Sequence, residues 1–286
     1  MVKKGIILAG GSGTRLSPLT KGVNKQLLPL YDKPLIFYPL SILMLANIKN
    51  ILIIVNPGQE KSFRNLLGDG KRYGIKIQYK IQNKPKGLPE AFILGKNFIK
   101  KDNVALILGD NFFYGQSLTN KFEKSLIHKS GARVFLKKVS KPQNYGVAEI
   151  KKNKIRRIVE KPKKFISNFA ITGLYFFDSN VIKYAKTLKP SKRKELEITD
   201  LLNMYKKNGQ LSYEHIGRGA VWSDAGKIDD MTNVSSFVQS VEKVQGIKIA
   251  CLEEIALYNK WISKDKIKKN IKFYGNCEYS DYLKNI

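Results

Sequence analysis

Glycines, a threonine and an arginine directly follow a short apolar run near the start of the chain. Residues 5–9 read Gly-Ile-Ile-Leu-Ala, and residues 10–16 read Gly-Gly-Ser-Gly-Thr-Arg-Leu. Such a run is typical of a buried parallel strand, and glycines after it let backbone N–H groups approach a ligand closely. Hydroxyl and guanidinium groups are suitable donors to phosphate oxygens. The spacing therefore predicts a polyphosphate site formed by Gly10, Gly11, Ser12, Gly13, Thr14 and Arg15.

Two common phosphate-binding motifs do not fit this spacing. The dinucleotide motif G-x-G-x-x-G requires a third glycine at position 16, where the chain has Leu16. The Walker motif requires Gly-Lys-Ser/Thr four residues after its first glycine, and the chain has no such run. Two interpretations remain open from the loop alone: a phosphate site of another class, or a tight turn.

The elements that must position this loop alternate between strands and helices. Apolar runs at 51–55, 75–81 and 104–108 predict three further strands. Helical patterns lie between and after the runs, at about 34–45, 60–67, 88–98 and 118–128. This order predicts right-handed βαβ crossovers and an α/β fold with a mostly parallel central sheet.

From residue 133 the pattern changes to strand-like runs with few helices between them. The runs are 134–136, 145–150, 155–160 and 170–177. The densest basic cluster, 151–157, lies between two of these runs, so we expect it at a hairpin tip. The final stretch, 228–286, has helical patterns.

Composition and cysteine content lead us to expect a cytoplasmic protein. The chain has 286 residues, and no stretch approaches the ~20 consecutive apolar residues of a membrane span. The first four residues run directly into the first predicted strand, so we expect no signal peptide. Cys251 and Cys277 are too few and too isolated for a disulfide framework or a zinc site. We expect no membrane partner.

The charge balance has two interpretations. The chain carries 52 Lys and Arg against 23 Asp and Glu, a net charge of +29, which indicates either nucleic-acid binding or a solvated lysine-rich surface. The basic residues are spread along the whole chain, so we expect no nucleic-acid partner. His128 and His215 have no surrounding residues that suggest a triad or a zinc site, and we expect both to be structural.

Several further motifs resemble the sugar nucleotidylyltransferases. The glycine-rich loop is followed by K-Q-L-L-P at 25–29 and D-K-P at 32–34. Later segments match in order: L-G-D-N at 108–111, Y-G-V at 145–147, E-K-P at 160–162, T-G-L-Y at 172–175, E-L-E-I-T-D at 195–200, W-S-D-A-G at 222–226 and E-E-I-A at 253–256. The resemblance covers residues 5 to about 283.

The resemblance implies a nucleotidyl transfer from dTTP to glucose 1-phosphate that releases pyrophosphate and leads towards dTDP-deoxysugars. The sugar phosphate is already an anionic nucleophile, so positioning and charge neutralisation can supply most of the catalysis. The family's pattern assigns the catalytic cations to Arg15, Lys25 and Lys161. It assigns Mg²⁺ to Asp110 and Asp224, and magnesium commonly takes one or two carboxylates with waters and phosphate oxygens.

The resemblance also distributes the substrate contacts. Besides the loop, the nucleotide contacts are Gln26, Gln82, Pro85, Gly87 and Leu88. A glutamine offers a donor and acceptors that suit the O4/N3–H edge of thymine or uracil, and Gly87 would let the backbone approach the base. The sugar-phosphate contacts are Asn111, Tyr145, Gly146, Glu160, Lys161, Ile171, Thr172 and Arg193.

The chain departs from the family pattern at two places. Lys86, Pro89 and Glu90 replace residues of the segment D-G-L-A-Q-A beside the base, and Ala225 and Lys227 replace residues that are usually hydroxylated near the metal. These departures leave alternatives open: a uridylyltransferase, another sugar 1-phosphate as substrate, or an inactive sugar-nucleotide-binding regulator.

The resemblance finally implies a Rossmann-like division of the chain and a tetramer. We expect a nucleotidyltransferase core at 1–228, with a nucleotide-binding half at about 1–130 and a β-rich sugar-phosphate-binding part at about 131–228. A helical C-terminal extension would follow at 229–286. Relatives of this length are commonly homotetrameric and have a regulatory sugar-nucleotide site, for which the matching residues are Gly115, Arg218, Gly219 and Glu254.

Overall fold

The computed structural model describes residues 2–11, 13–116, 118–126 and 130–286. Ser12 and His128, both named above, lie outside these residues. The strands are β1 (Lys4–Ala9), β2 (Pro29–Leu30), β3 (Lys33–Pro34), β4 (Asn50–Val55), β5 (Lys76–Ile81), β6 (Val104–Leu108), β7 (Phe112–Tyr114), β8 (Ala132–Lys138), β9 (Gly146–Lys151), β10 (Lys154–Glu160), β11 (Phe169–Phe177), β12 (Leu211–His215) and β13 (Val221–Ser223).

Helices separate the strands and form the C-terminal part of the chain. The α-helices are α1 (Phe37–Leu45), α2 (Glu60–Leu67), α3 (Glu90–Leu94), α4 (Lys96–Ile99), α5 (Leu118–Leu126), α6 (Val181–Thr187), α7 (Ile198–Lys207), α8 (Ile228–Gln245), α9 (Leu252–Tyr258), α10 (Lys264–Tyr274) and α11 (Glu278–Lys284). No helix among the described residues is long and apolar enough to cross a bilayer.

The central sheet combines a parallel half with a mixed half, which is antiparallel except where β12 pairs with β8. Within the described residues it has nine strands. Seven follow the order β10-β9-β11-β6-β1-β4-β5, and the other two lie off this path, where β8 pairs with both β11 and β12. Strands β4, β1, β6 and β5 form the parallel half, as the alternation of elements predicts. Strand β11 enters antiparallel beside β6, so the β-rich part extends the same sheet. The predicted α/β fold is confirmed.

Helices cover both faces of the sheet. Because successive strand residues point to opposite faces, alternate residues of one strand enter different cores. In β1, Ile7 and Ala9 pack with α1, α2, α5 and α9 in one core. Ile6 and Leu8 pack on the opposite face with α3, α4, α6 and α7. This two-sided burial explains why β1 appears in the sequence as a continuous apolar run.

Two predicted helices differ from the observed elements. Pro34 does not open a helix but pairs with β2, and the N–H groups of Leu35 and Ile36 donate to the carbonyls of Leu28 and Gln26. Helix α1 therefore begins only at Phe37. The predicted helix at 88–98 is two short helices that meet at Gly95.

The last part of the chain is helical, as predicted. Helix α8 packs against the β2–β3 hairpin and the small β7–β13 ribbon through a separate apolar cluster that includes Leu30, Phe112 and Val238. Helices α9 to α11 form their own cluster. The basic 151–157 cluster lies at a hairpin tip, as expected, with Lys152 and Asn153 in the left-handed region.

Candidate active site

The glycine-rich loop leaves the carboxyl end of β1 and is braced by the strand beside it. Gly11 and Gly13 have φ values of 111° and 59°, which favour glycine. The Gly11 N–H donates to Asn56 Oδ1 at 3.0 Å, and Asn56 Nδ2 donates to the Gly11 carbonyl at 2.9 Å. Asn56 was not anticipated, although a polar residue directly after β4 was the available signal. The two bonds fasten the loop to the residue that follows β4.

The loop forms one wall of a cavity of about 250 Å³. The predicted residues Gly10, Gly11, Gly13, Thr14, Arg15, Lys25, Gln26 and Asp110 line it, together with Gly226. The buried Gln26 Oε1 has no hydrogen-bond partner among the described residues. Because buried acceptors are normally satisfied, this oxygen marks a position where a bound ligand can donate.

Lys25 is brought to the cavity by its neighbour Asn24. Asn24 Oδ1 accepts the N–H of Gln26 at 2.8 Å, and Asn24 Nδ2 donates to the Ala9 carbonyl at 3.2 Å. These bonds fasten the segment to the end of β1. The Lys25 side chain is 8% exposed, and its Nζ lies 2.7 Å from Asp110 Oδ2.

The two predicted metal ligands come together from separate segments. Asp110 follows β6 and Asp224 follows β13, and both line a second cavity of about 290 Å³. Burial, and then the carboxylate of Asp110, raises the pKa of Asp224, while Lys25 and Arg15 oppose the shift. Two carboxylates that repel each other fit a divalent cation such as Mg²⁺, which takes one or two carboxylates in proteins. The described residues contain no group of three or more His, Cys, Asp or Glu placed for a metal, so substrate and water oxygens would complete such a site.

Gly226 gives Arg15 its place beside Asp224. A Cβ at Gly226 would lie 3.1 Å from both an Arg15 guanidinium nitrogen and Asp224 Oδ2. The preceding Ala225 is fully buried with a φ of 37°, which is uncommon for a residue other than glycine. Ala225, one of the departures from the family pattern, packs in the apolar cluster that includes residues of α8.

The second cavity gathers most of the predicted sugar-phosphate residues. Asn111, Tyr145, Gly146, Glu160, Lys161, Ile171 and Arg193 line it. Thr172 does not, because successive residues of β11 alternate in direction. Its side chain is fully buried, and its hydroxyl lacks a partner among the described residues.

Asn111 is held by two residues for which the sequence motifs suggested no individual role. Its Oδ1 accepts the Gly173 N–H at 3.0 Å and Trp222 Nε1–H at 2.7 Å. A Cβ at Gly173 would lie 2.5 Å from that oxygen, so only glycine leaves room for the contact. Asn111 Nδ2 in turn donates to Asp110 Oδ1 at 2.9 Å. Asn111 thus orients Asp110, a candidate metal ligand.

Arg193 is surrounded by carboxylates. Its guanidinium lies 3.4 Å from Glu160, 3.0 Å from Glu195 and 3.7 Å from Glu197. Burial, followed by the charge of Glu197, raises the pKa of Glu160, and Lys161 and Arg193 oppose this shift. Lys161 reaches the cavity from the exposed turn after β10.

The predicted base contacts lie at the end of β5 and in the loop after it. Gln82 is 2% exposed, and its Nε2 donates to Glu90 Oε2 at 2.7 Å. Gly87 has a φ of 107°, and any Cβ there would overlap the backbone of Leu196, whose N–H donates to the Lys86 carbonyl at 2.7 Å. Position 87 therefore requires glycine because the backbone at Leu196, from the part of the chain that lines the larger cavity, crosses it closely. The motif alone did not suggest this reason. Pro85 is exposed in this loop, and Leu88 lines the larger cavity.

The residues suggested for a regulatory site fall into two places. A Cβ at Gly115 would lie 3.3 Å from the Gly219 carbonyl oxygen, so these two glycines are neighbours. Arg218 is exposed beside them. Glu254 accepts a hydrogen bond from the Tyr282 hydroxyl at 2.8 Å within the C-terminal helices.

Comparisons with known proteins show which family the chain belongs to. The sequence model of the family described as "Nucleotidyl transferase" matches residues 4–241. A glucose-1-phosphate thymidylyltransferase from Neisseria meningitidis serogroup A is 50% identical over 281 residues, which are 98% of each chain. A second, from Mycolicibacterium smegmatis, is 46% identical over 98% of this chain and 97% of its own.

Solved structures share the fold. A candidate glucose-1-phosphate thymidylyltransferase from Bacillus anthracis, crystallised in complex with a sucrose, superposes with a TM-score of 0.77 at 40% identity, over 82% of this chain and 94% of its own. A UDP-glucose pyrophosphorylase complexed with UDP-glucose, at 24% identity and a TM-score of 0.74, covers 84% of this chain and 99% of its own. The family resemblance predicted from the motifs is confirmed, and the chain belongs to the nucleotidyl transferase family, among the glucose-1-phosphate thymidylyltransferases.

Proposed function

We propose that the protein transfers a thymidylyl group from dTTP to glucose 1-phosphate and releases pyrophosphate. One observation carries the proposal beyond the family relationship: Arg15 and Asp110 line both cavities. The smaller cavity has the glycine-rich loop, and the larger one has amide and carboxylate side chains that suit a sugar. The shared residues mark the point where a nucleotide α-phosphate would meet a sugar phosphate.

The residues at this junction support an in-line displacement. The sugar phosphate oxygen attacks the α-phosphorus, the bond to the bridging oxygen breaks, and pyrophosphate leaves with the electron pair. Arg15 and Lys25 neutralise charge on the triphosphate, and Lys161 with Arg193 holds the sugar phosphate. Glu160 accepts hydrogen bonds from sugar hydroxyls. Asp110 and Asp224 would hold Mg²⁺, which supplies further neutralisation of the phosphate charge.

The role of Arg193 requires a change of partners. Its guanidinium contacts three carboxylates, and a dianionic sugar phosphate would compete with them. Planar guanidinium groups bind phosphate through two parallel hydrogen bonds, which favours the exchange.

Initial rates of pyrophosphate release test the proposal. We expect dTTP with glucose 1-phosphate to give the highest kcat/KM, UTP to be usable because uracil has the same imide edge, and purine triphosphates to be poor. Other sugar 1-phosphates then test the sugar. A preference for ATP, GTP or CTP would contradict the nucleotide assignment.

We further propose a homotetramer with a regulatory sugar-nucleotide site that includes Gly115, Arg218 and Gly219. The support is the family relationship together with the proximity of the two glycines. A monomer in light scattering at assay concentration would contradict both parts.

A further inference from the structure

Glu90 contacts the predicted base-reading side chain, and no motif gives it a role. It is the first residue of α3, and its Oε2 accepts two hydrogen bonds. One comes from Gln82 Nε2 at 2.7 Å, and the other comes from the backbone N–H of Lys86 at 2.9 Å. The matching family segment, D-G-L-A-Q-A, has a glutamine at this position.

The contact with Glu90 determines how the Gln82 amide is turned. A carboxylate offers only acceptors, so the Gln82 NH₂ group must face Glu90. The amide oxygen is therefore turned to the other side, where a Cβ on Gly10 would lie 2.5 Å from it. Gly10 lines the phosphate-loop cavity. The side chain of Gln82 thus presents its acceptor next to the nucleotide site.

This orientation matters because pyrimidines differ at the edge that a glutamine reads. Thymine and uracil present an N3–H donor beside an O4 acceptor, whereas cytosine presents an N3 acceptor beside an amino group. An amide that is free to turn by 180° satisfies either edge. Turning Gln82 would place its oxygen against the Glu90 carboxylate and would lose a charge-assisted hydrogen bond.

We propose that Glu90 is a positioning residue for base selection, holding the Gln82 amide so that it accepts from N3–H and rejects cytosine. The inference rests on the proposed function only in that Gln82 faces the base.

Two variants of Glu90 separate positioning from general structure. Glu90→Met keeps the side-chain length and removes the acceptor. Glu90→Gln keeps an acceptor oxygen, which the Lys86 N–H holds at the same point. Glu60→Met is the matched control, because Glu60 is likewise the first residue of its helix, α2, and its ion pair among the described residues is with Arg64 in the same helix.

The measurement is the dissociation constant of dTTP and of dCTP by calorimetry, without sugar phosphate. We expect the dTTP preference to fall at least about tenfold in Glu90→Met, the scale of one lost charge-assisted hydrogen bond. It should stay close to wild type in Glu90→Gln and Glu60→Met. The kcat/KM ratio of the two triphosphates should follow the binding ratio.

Several outcomes would overturn the inference. They are an unchanged ratio in Glu90→Met, an equal weakening of both nucleotides, an equal loss of preference in Glu90→Gln, or a wild-type protein without preference for dTTP over dCTP. If the wild type prefers dTTP but releases no pyrophosphate with glucose 1-phosphate, the proposed function fails while the binding ratio still tests Glu90.

Discussion

At the scale of single residues, cationic and anionic side chains lie close together where the two cavities meet. Lys25 and Arg15 lie beside Asp110 and Asp224, which are brought from segments more than a hundred positions apart in the sequence. Asn111 orients Asp110 and is itself held by Trp222. The arrangement concentrates positive charge and paired carboxylates where a triphosphate would enter.

Replacing either aspartate with asparagine should abolish most turnover without unfolding the protein. We expect Asp110→Asn and Asp224→Asn each to lower kcat by roughly 10²–10³, the cost of removing one element of transition-state charge stabilisation. Steady-state rates over a magnesium series, with thermal unfolding curves, provide the check.

Asp229→Asn is the matched control, because Asp229 is an exposed acid in the first turn of α8, and its kcat should match the wild type. A near-normal rate for either site variant at saturating Mg²⁺ would remove that residue from the metal site.

At the scale of elements, a buried ion cluster joins the β2–β3 hairpin to α8. Lys33, 4% exposed, pairs with Asp32 and lies 3.1 Å from Glu242 Oε1. Lys248 contacts the same two acids at 2.5 Å and 3.5 Å. The four charges cancel, so removing one acid leaves a buried lysine without full compensation.

Breaking this cluster should destabilise the fold strongly. We expect Glu242→Met to lower the free energy of unfolding by about 3–5 kcal/mol, the usual cost of removing one partner of a buried pair. The double variant Lys33→Met/Glu242→Met should recover part of the loss, since neither buried charge then remains unpaired.

Urea unfolding of the single and double variants measures the coupling. Asp265→Ala, which removes an exposed pair with Lys268, is the control and should change stability little. A double variant that is less stable than either single variant would contradict this account.

A second element-scale feature is the buried carboxyl that ties α9 to α10 and α11. Glu253 has no exposed surface and accepts hydrogen bonds from the hydroxyls of Tyr274 and Tyr279 at 2.8 Å and 2.7 Å. Burial raises the pKa of Glu253, although the two tyrosine hydrogen bonds oppose the shift. The folded protein therefore binds a proton more tightly at this position than the unfolded chain does.

The pH dependence of stability follows from that sign. The contribution of Glu253 is fully present below the ordinary pKa, 4.5, and is lost as the pH rises through the raised folded-state pKa. Relative to Glu253→Gln, which cannot ionise, the wild type should lose stability over this rise in pH. Urea unfolding of both proteins at several pH values measures the difference, and a constant difference would contradict the raised pKa.

At the scale of the whole molecule, the charge of +29 suits the proposed reaction, whose substrates are all anions. A positive field raises the encounter rate of anionic ligands and weakens with salt. We expect kcat/KM for dTTP to fall with ionic strength while kcat changes little.

Duplex DNA should bind only weakly at physiological salt. Tight binding with a steep salt dependence would contradict the interpretation of the charge as a solvated lysine-rich surface.

The amino-acid sequence by itself determined most of the strands and helices and the residue types that could do chemistry. The continuous apolar runs of β1, β4 and β6 predicted strands covered on both faces, because burial on both sides leaves no place for alternating polar residues. The glycines and cations after β1 predicted the phosphate loop, and Asp110 with Asp224 followed from the family motifs. These signals are local, so the sequence contains them in full.

Only the tertiary structure decided which groups touch. Asn56 braces Gly11, the crossing of Leu196 requires Gly87 to be a glycine, and Arg193 lies among three carboxylates. Similarly, the pairing of β3 with β2 delayed the start of α1. Each contact joins groups that the local pattern leaves undetermined, because backbone pairing and side-chain packing depend on segments that meet only when the sheet assembles.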